Sequence, residues 1–368
     1  MRLIPETVPF DPKRVPFFYG YVVIGFSMVG MLMSVPGQTM GVSAFTDHLI
    51  RDLGITRVDL TTAYMIGTLA SSFLMTWAGR MYDRFGARIM SAVAALGLGV
   101  VLMVLSVCPR IVGVFGGMAA AGVVVMSVGF FLLRFFGQGM MTLTSRNMLM
   151  EWFERRRGLA NGIRAVFVSF GFSLSPKILD SMIAHWGWQG AWRILAVVIG
   201  IGFCAFTLVF YRDKPESCGL LPDGRTPDDA EGPDRAGGES QRAFTLKEAR
   251  RTYTFWVFIL TLGLLGLYYT AFTFHVVSLF EQAGRTRTQA FAMFFPASII
   301  SVTVSFIAGW ASDRVRLKYL LMLMLGGTAV AMLGLCNLES DWGMWFLIGG
   351  NGVALGHFSL ISGVTWPK

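Results

Sequence analysis

Arg134 stands inside an apolar run, Leu132-Leu133-Arg134-Phe135-Phe136-Gly137-Gln138-Gly139. A guanidinium does not shed its charge, and placing one in hydrocarbon is costly, so such a residue is expected to hold an anionic group or tune a proton site. The plainer reading is a buried arginine satisfied by backbone carbonyls and neighbouring helices. Upstream, Pro36-Gly37-Gln38-Thr39-Met40-Gly41-Val42-Ser43 interrupts another apolar run. A proline and two glycines loosen the helical ladder, which lets Gln38 and Thr39 face an internal cavity; close helix packing through small residues is the alternative. A basic turn occurs twice, at Gly79-Arg80-Met81-Tyr82-Asp83-Arg84-Phe85-Gly86-Ala87-Arg88 and at Gly309-Trp310-Ala311-Ser312-Asp313-Arg314, its aspartates 230 positions apart. The same offset lays Gln38 on Tyr268 and Phe45 on His275. His275 has the chemistry to carry a proton near neutral pH, although a histidine near a helix end more often serves as an interfacial hydrogen-bonder. Asn351 and His357 complete the candidates. Lys177 and Asp180, three apart on one helix face, suit a structural pair, and Arg146 and Arg164 suit interfacial anchors.

The elements that must position these groups are membrane helices. Of the 368 residues 54% are apolar and only 14% charged, more than one water-facing surface can conceal. Apolar spans are read near 18–45, 58–79, 89–107, 127–149, 159–184, 191–211, 254–278, 288–309, 319–336 and 343–365, ten in all. The net charge of +9 does not indicate nucleic acid, because the cations fall in alternate loops: Arg80, Arg84 and Arg88; Arg155, Arg156 and Arg157; Arg212 to Arg251; Arg314, Arg316 and Lys318. This bias places those loops and both termini in the cytoplasm. The organisation expected is a tail at 1–16, a six-helix bundle at 17–211, a cytoplasmic loop at 212–253 and four further helices at 254–368.

Both 79–89 and 152–158 carry cytoplasmic charge, so an even number of crossings separates them. Those are 89–107 and 127–149, which leaves 111–126 as an inserted outer helix or re-entrant hairpin. Residues 213–243, rich in Pro, Gly and Asp, read as a largely disordered linker. Nothing at the N-terminus resembles a cleaved leader. Cys108, Cys204, Cys218 and Cys336 show neither metal-ligand nor disulfide spacing. No nucleotide loop, metal cluster or nucleophile–base set is present, so neither an enzyme nor a cofactor is expected.

The duplicated Gly-x-x-x-Asp-Arg turn resembles the loop signature of the major facilitator superfamily of secondary transporters. Trp152-Phe153-Glu154-Arg155-Arg156-Arg157-Gly158-Leu159-Ala160-Asn161-Gly162, Gly187-Trp188-Gln189-Gly190-Ala191-Trp192-Arg193 and Arg212-Asp213-Lys214-Pro215-Glu216 through Gly219-Leu220-Leu221-Pro222-Asp223-Gly224 are similar to its oxalate/formate antiporter and monocarboxylate transporter branch. The resemblance implies an all-α membrane protein of two pseudo-symmetric six-helix halves, ten of an expected twelve helices being present. It implies gating by Gly79, Asp83, Arg84, Gly86, Arg88, Gly309, Asp313 and Arg314, with Asp83 meeting helix eleven and Asp313 meeting helix five. Arg134 carries over from the family pattern on helix four; Gln138 lies one position later than usual. The acidic and basic pair of helix eight falls on Ser301 and Ser305, so a carboxylate substrate is a family expectation only.

The functions weighed are alternating-access transport of small organic anions, proton-coupled efflux of amphipathic compounds, and a transport-inactive sensor or scaffold. The expected partners are a small-molecule substrate, a coupling proton and the lipid of a cell membrane, with the protein a monomer.

Overall fold

The computed structural model describes residues 8–224, 248, 250–312 and 315–364, and every regular element among them is helical. Asp313 and Arg314 lie outside the described residues. The chain forms two compact units, Met1–Glu231 and Gly232–Lys368.

The first unit contains α1 (Gly20–Met33), α2 (Thr39–Ser43), α3 (Thr46–Leu53), α4 (Arg57–Leu105), α5 (Cys108–Val114), α6 (Ala119–Leu133), α7 (Thr142–Trp152), α8 (Arg157–Val197) and α9 (Cys204–Phe210). The second contains α10 (Tyr253–Gln282), α11 (Arg287–Ala292), α12 (Phe294–Ser312), α13 (Leu317–Cys336) and α14 (Asp341–Val364). Among the described residues, six helical runs are long and apolar enough to cross a membrane. Two of these contain a fold-back. α4 is interrupted at Gly86, whose φ of 80° and ψ of 176° suit only glycine. Before that residue the numbering rises in step with the α6–α7 run: Gly67 lies on Phe131 and Met75 on Gly139. After it the numbering runs oppositely, Gly97 lying on Phe136 and Leu105 on Gly129. The run from α8 to α9 turns in the same way at Gly187, with φ of 68°. Its start and finish lie at one end of the unit, where the Trp152 indole N–H donates to Arg212 O at 3.2 Å.

Two sequence expectations are corrected. The segment 111–126 is not a single inserted element. α5 occupies its first part, the left-handed Gly116 and Gly117 make the turn, and α6 begins at Ala119. The alanine run Ala119-Ala120-Ala121 favours helix, so the span starts earlier than hydropathy alone suggests. The linker's first part is also folded. Asp213 Oδ1 accepts from Arg88 N at 2.9 Å, just after the Gly86 break, and Asp223 accepts from the N–H groups of Glu154, Arg155 and Arg156 at 3.1, 2.7 and 3.1 Å. Each carboxylate takes orphan donors at a helix start, which favours its ordered position. This basic end of the unit carries Arg80, Arg84, Arg88 and Arg155–Arg157.

Candidate functional site

The first helical run breaks where its composition suggests. α1 stops at Met33, Val35–Gly37 makes a single tight turn, and Gln38 is extended before α2 restarts. Opposite it, Arg134–Met141 widens into a π-type stretch between α6 and α7. The two irregularities fit each other. A Cβ on Gly37 would stand 2.5 Å from Leu133 O and 2.7 Å from Gly137 Cα, so only two glycines permit this approach. Irregular backbone at such depth must be covered by protein or face a cavity.

Arg134 lies there, about 22 Å from the start of α6 and about 27 Å from Trp152 at 1.5 Å per residue. It is buried, at 7% exposure. Its Nη1 donates to the Tyr64 hydroxyl at 2.7 Å and to Thr39 Oγ1 at 3.1 Å, and the Tyr64 hydroxyl donates to Thr39 at 2.8 Å. The guanidinium also sits 5.1 Å from the centre of the Tyr64 ring. Phe130 holds that ring edge-on at 5.2 Å. Gln38 extends the polar line, its amide donating to Ser34 Oγ at 2.9 Å and to Thr142 Oγ1 at 3.3 Å. Gln138 Oε1 is buried with no donor among the described residues. Among the described residues no carboxylate pairs with Arg134.

The buried arginines of the described residues divide into two kinds. Arg88 gives Nε to Leu208 O at 2.7 Å and Nη2 to Val8 O at 2.7 Å. Arg212 gives Nη1 to Val209 O and Tyr211 O at 2.8 and 2.7 Å and Nη2 to Phe10 O at 3.1 Å, with its guanidinium 4.7 Å from the Phe10 ring. These two fasten the N-terminal segment and the end of α9 to the basic end. Arg134 and Arg164 receive no such carbonyl shell; their acceptors are neutral side-chain oxygens.

The structure therefore brings Gln38, Thr39 and Arg134 to one helix crossing. Tyr64, which sequence reasoning did not single out, completes the set. Its only signal would have been a hydroxyl in an apolar span, indistinguishable there from packing. Gly79 and Arg84 lie near the α4 fold-back, where Asp83 is exposed and has no hydrogen bond or ion pair among the described residues. The cap on the returning helix comes from Asp213 instead.

In the second unit the Tyr268 hydroxyl donates to Asn351 Oδ1 at 3.2 Å, and Asn351 Nδ2 is buried without an acceptor among the described residues. Tyr268 and His275 line an open, largely apolar cavity of about 620 Å³ between α10 and α13, with Phe272, Leu325, Thr328 and Met332. Asn351 is not among its lining residues. His357 Nδ1 lies 2.9 Å from Val353 O of its own helix. Ser305 bonds Gly356 O at 2.9 Å, tying α12 to α14. Gly309 lies in the last turn of α12.

Away from the basic end, α3 carries Asp52, whose carboxylate accepts from the Trp188 indole at 2.7 Å and from Arg51 at 2.9 Å. Burial pushes this carboxyl up, but the bonds from Trp188 and Arg51 outweigh it and hold it below the usual range. The described residues contain no cluster fit for a metal ion.

The model of the Major Facilitator Superfamily matches residues 17–367. The chain belongs to this family. Its members are membrane transporters, not enzymes. The chain is 26% identical to a riboflavin transporter of Trypanosoma brucei brucei over 202 residues, 54% of this chain and 34% of that protein. It is 25% identical to a probable sulfoacetate transporter of Cupriavidus necator over 170 residues, 46% of this chain and 36% of that one. The matches thus span about a third of those relatives' own lengths. The crystal structure of a D-xylose–proton symporter is similar in fold, with a TM-score of 0.53 at 15% identity, covering 91% of this chain and 79% of that one.

Proposed function

We propose that this superfamily member is a secondary active transporter that moves small organic anions by alternating access, with Arg134 as the anion-binding group of its first unit. The observation that carries this reading is a mid-span guanidinium, held by Thr39 and Tyr64, without a carboxylate or a carbonyl shell among the described residues. Two neutral hydroxyls orient Nη1 while leaving the positive charge uncompensated, the state in which an incoming carboxylate or sulfonate gains most. Gln38 and the buried Gln138 oxygen supply neutral polar groups on either side. A relative named for sulfoacetate supports an organic anion as cargo.

In this reading the chain makes ten crossings on a plan of two pseudo-symmetric six-helix halves, with the basic end in the cytoplasm by the positive-inside bias. The loop 79–88, with Gly79, Asp83, Arg84, Gly86 and Arg88, and its counterpart at Gly309, Asp313 and Arg314 act as gates. Tyr268 and Asn351 serve as the polar pair of the second unit, and His275 is the candidate proton carrier. The cavity beside Tyr268 favours a second reading, transport of amphipathic compounds, since its walls are mainly apolar.

Counterflow of radiolabelled anions in proteoliposomes tests the proposal. Carboxylates and sulfonates are expected to exchange in the wild type and not in Arg134→Gln. Exchange of neutral amphipathic compounds alone, unaffected by Arg134→Gln, would support the second reading and remove the first.

A further inference from the structure

A second arginine shares the electrostatic predicament of Arg134. Arg164 of α8 is buried, at 8% exposure, about 10 Å in from the start of its helix at 1.5 Å per residue. Its Nε and Nη2 both converge on one acceptor, Asn161 Oδ1, at 3.2 and 2.6 Å. One amide oxygen leaves a planar five-donor fork largely unused, and a neutral oxygen leaves its charge unanswered. Arg146, on the adjoining α7, adds a second positive charge to the same side of the balance. Neither arginine pairs with a carboxylate among the described residues, and Glu151, on the next turn of α7, is engaged by Lys214 at 3.2 Å.

The location is built by three helices. On α8 the positions Arg164, Val168 and Gly171 fall on one stripe, and Gly171 packs on Leu32 of α1. On α7 the residue beside Arg146 is Ser145, whose carbonyl accepts from Ser27 of α1 at 2.7 Å. Of these two cations on neighbouring helices, Arg164 is buried and Arg146 exposed. A buried guanidinium that keeps its charge beside a second cation is favoured by a bound anion. Along α7 the pair lies about 18 Å from Arg134, so one small anion cannot span both positions.

We propose that Arg164 and Arg146, with Asn161 as the orienting group, form a second anion-binding site that takes an oxyanion head group such as a sulfonate, carboxylate or phosphate. Arg164 supplies the planar fork and Arg146 the second charge, while Asn161 fixes the fork's rotation. The site does not depend on Arg134 binding substrate. The oxyanion has two possible sources, a soluble anion or the head group of an anionic lipid, and both present the same chemistry.

Binding of radiolabelled sulfate to the full-length protein in phosphatidylcholine nanodiscs, at constant ionic strength, tests this in an Arg134→Gln background. Sulfate binding that persists there and weakens at least about tenfold on adding Arg164→Gln identifies a soluble-anion site. If sulfate does not bind, native mass spectrometry from nanodiscs containing phosphatidylglycerol is decisive. Retention of that lipid, lost in Arg164→Gln, identifies the lipid as the source. Should Arg164→Gln fail to fold, the exposed Arg146→Gln replaces it, with an expected weakening of about fivefold. Sulfate and phosphatidylglycerol binding that are both indifferent to these substitutions overturn the proposal. The Arg134 reading is judged separately, by the anion lost in Arg134→Gln alone.

Discussion

Replacing Arg134 by Gln separates the two purposes a buried guanidinium can serve. As a structural strut, it would earn its position through its bonds to Tyr64 at 2.7 Å and Thr39 at 3.1 Å. Two such charge-assisted bonds contribute about 1.5–3 kcal/mol each, and truncation would cost that much stability. Against this stands the desolvation of a cation with no paired carboxylate, several kcal/mol in the opposite direction. The two terms nearly cancel. Tyr64 and Thr39 also retain their mutual bond at 2.8 Å, so the substitution strands no charge and only a modest polar capacity. Melting of Arg134→Gln is therefore expected within about 2 kcal/mol of the wild type. Affinity is expected to change far more: loss of two charge-assisted bonds to an anion weakens binding at least about 100-fold. Arg134→Lys keeps the charge but not the planar fork and should fall between the two, with some transport remaining. Equilibrium binding on purified variants reads the affinity, and thermal melting reads the stability. A Gln variant that melts much lower, while the folded fraction binds the anion with wild-type affinity, refutes the reasoning.

Gly37→Ala should destabilise the first unit by about 1–3 kcal/mol, because the new methyl meets backbone at Leu133 and Gly137, which cannot swing aside; thermal melting reads this, and an unchanged midpoint would mean the two helices are not in contact. Asp52 has a folded-state pKa below its unfolded value, so its stabilising effect is full above about pH 4 and is lost as pH falls through the lower folded value. A pH titration of melting and tryptophan emission should show that loss in the wild type and not in Asp52→Asn. Asp83→Asn should leave thermal stability within about 0.5 kcal/mol, since the carboxylate is exposed and unbonded among the described residues, yet slow counterflow by altering the balance of open states. Unchanged transport would reduce that loop to an anchor.

Arg134 was legible in the sequence because a permanent charge inside an apolar run is an energetic anomaly at any depth of reasoning. The break at Pro36–Gly37 was legible for a similar reason, since proline and glycine act on their own backbone. Tyr64 was not legible, because its role depends on which residue lies across the bundle. Arg164 read as an interfacial anchor from its distance to the helix end; its burial and its two bonds to Asn161 emerge only in the fold. Asp213 and Asp223 sat in a stretch whose Pro, Gly and charge content signals disorder. Only the folded unit presents the helix starts that their carboxylates cap.

What the sequence determined by itself was the all-helical membrane class, the break in the first helix and the anomalous charge. Those follow from composition, local backbone chemistry and the cost of placing charge in hydrocarbon, none of which needs a partner. Which buried arginines are spent on carbonyls and which stay uncompensated was decided by tertiary structure alone. A side chain's free bonding capacity depends on its neighbours in space, and helices 95 residues apart in the chain, those of Thr39 and Arg134, become neighbours only in the fold.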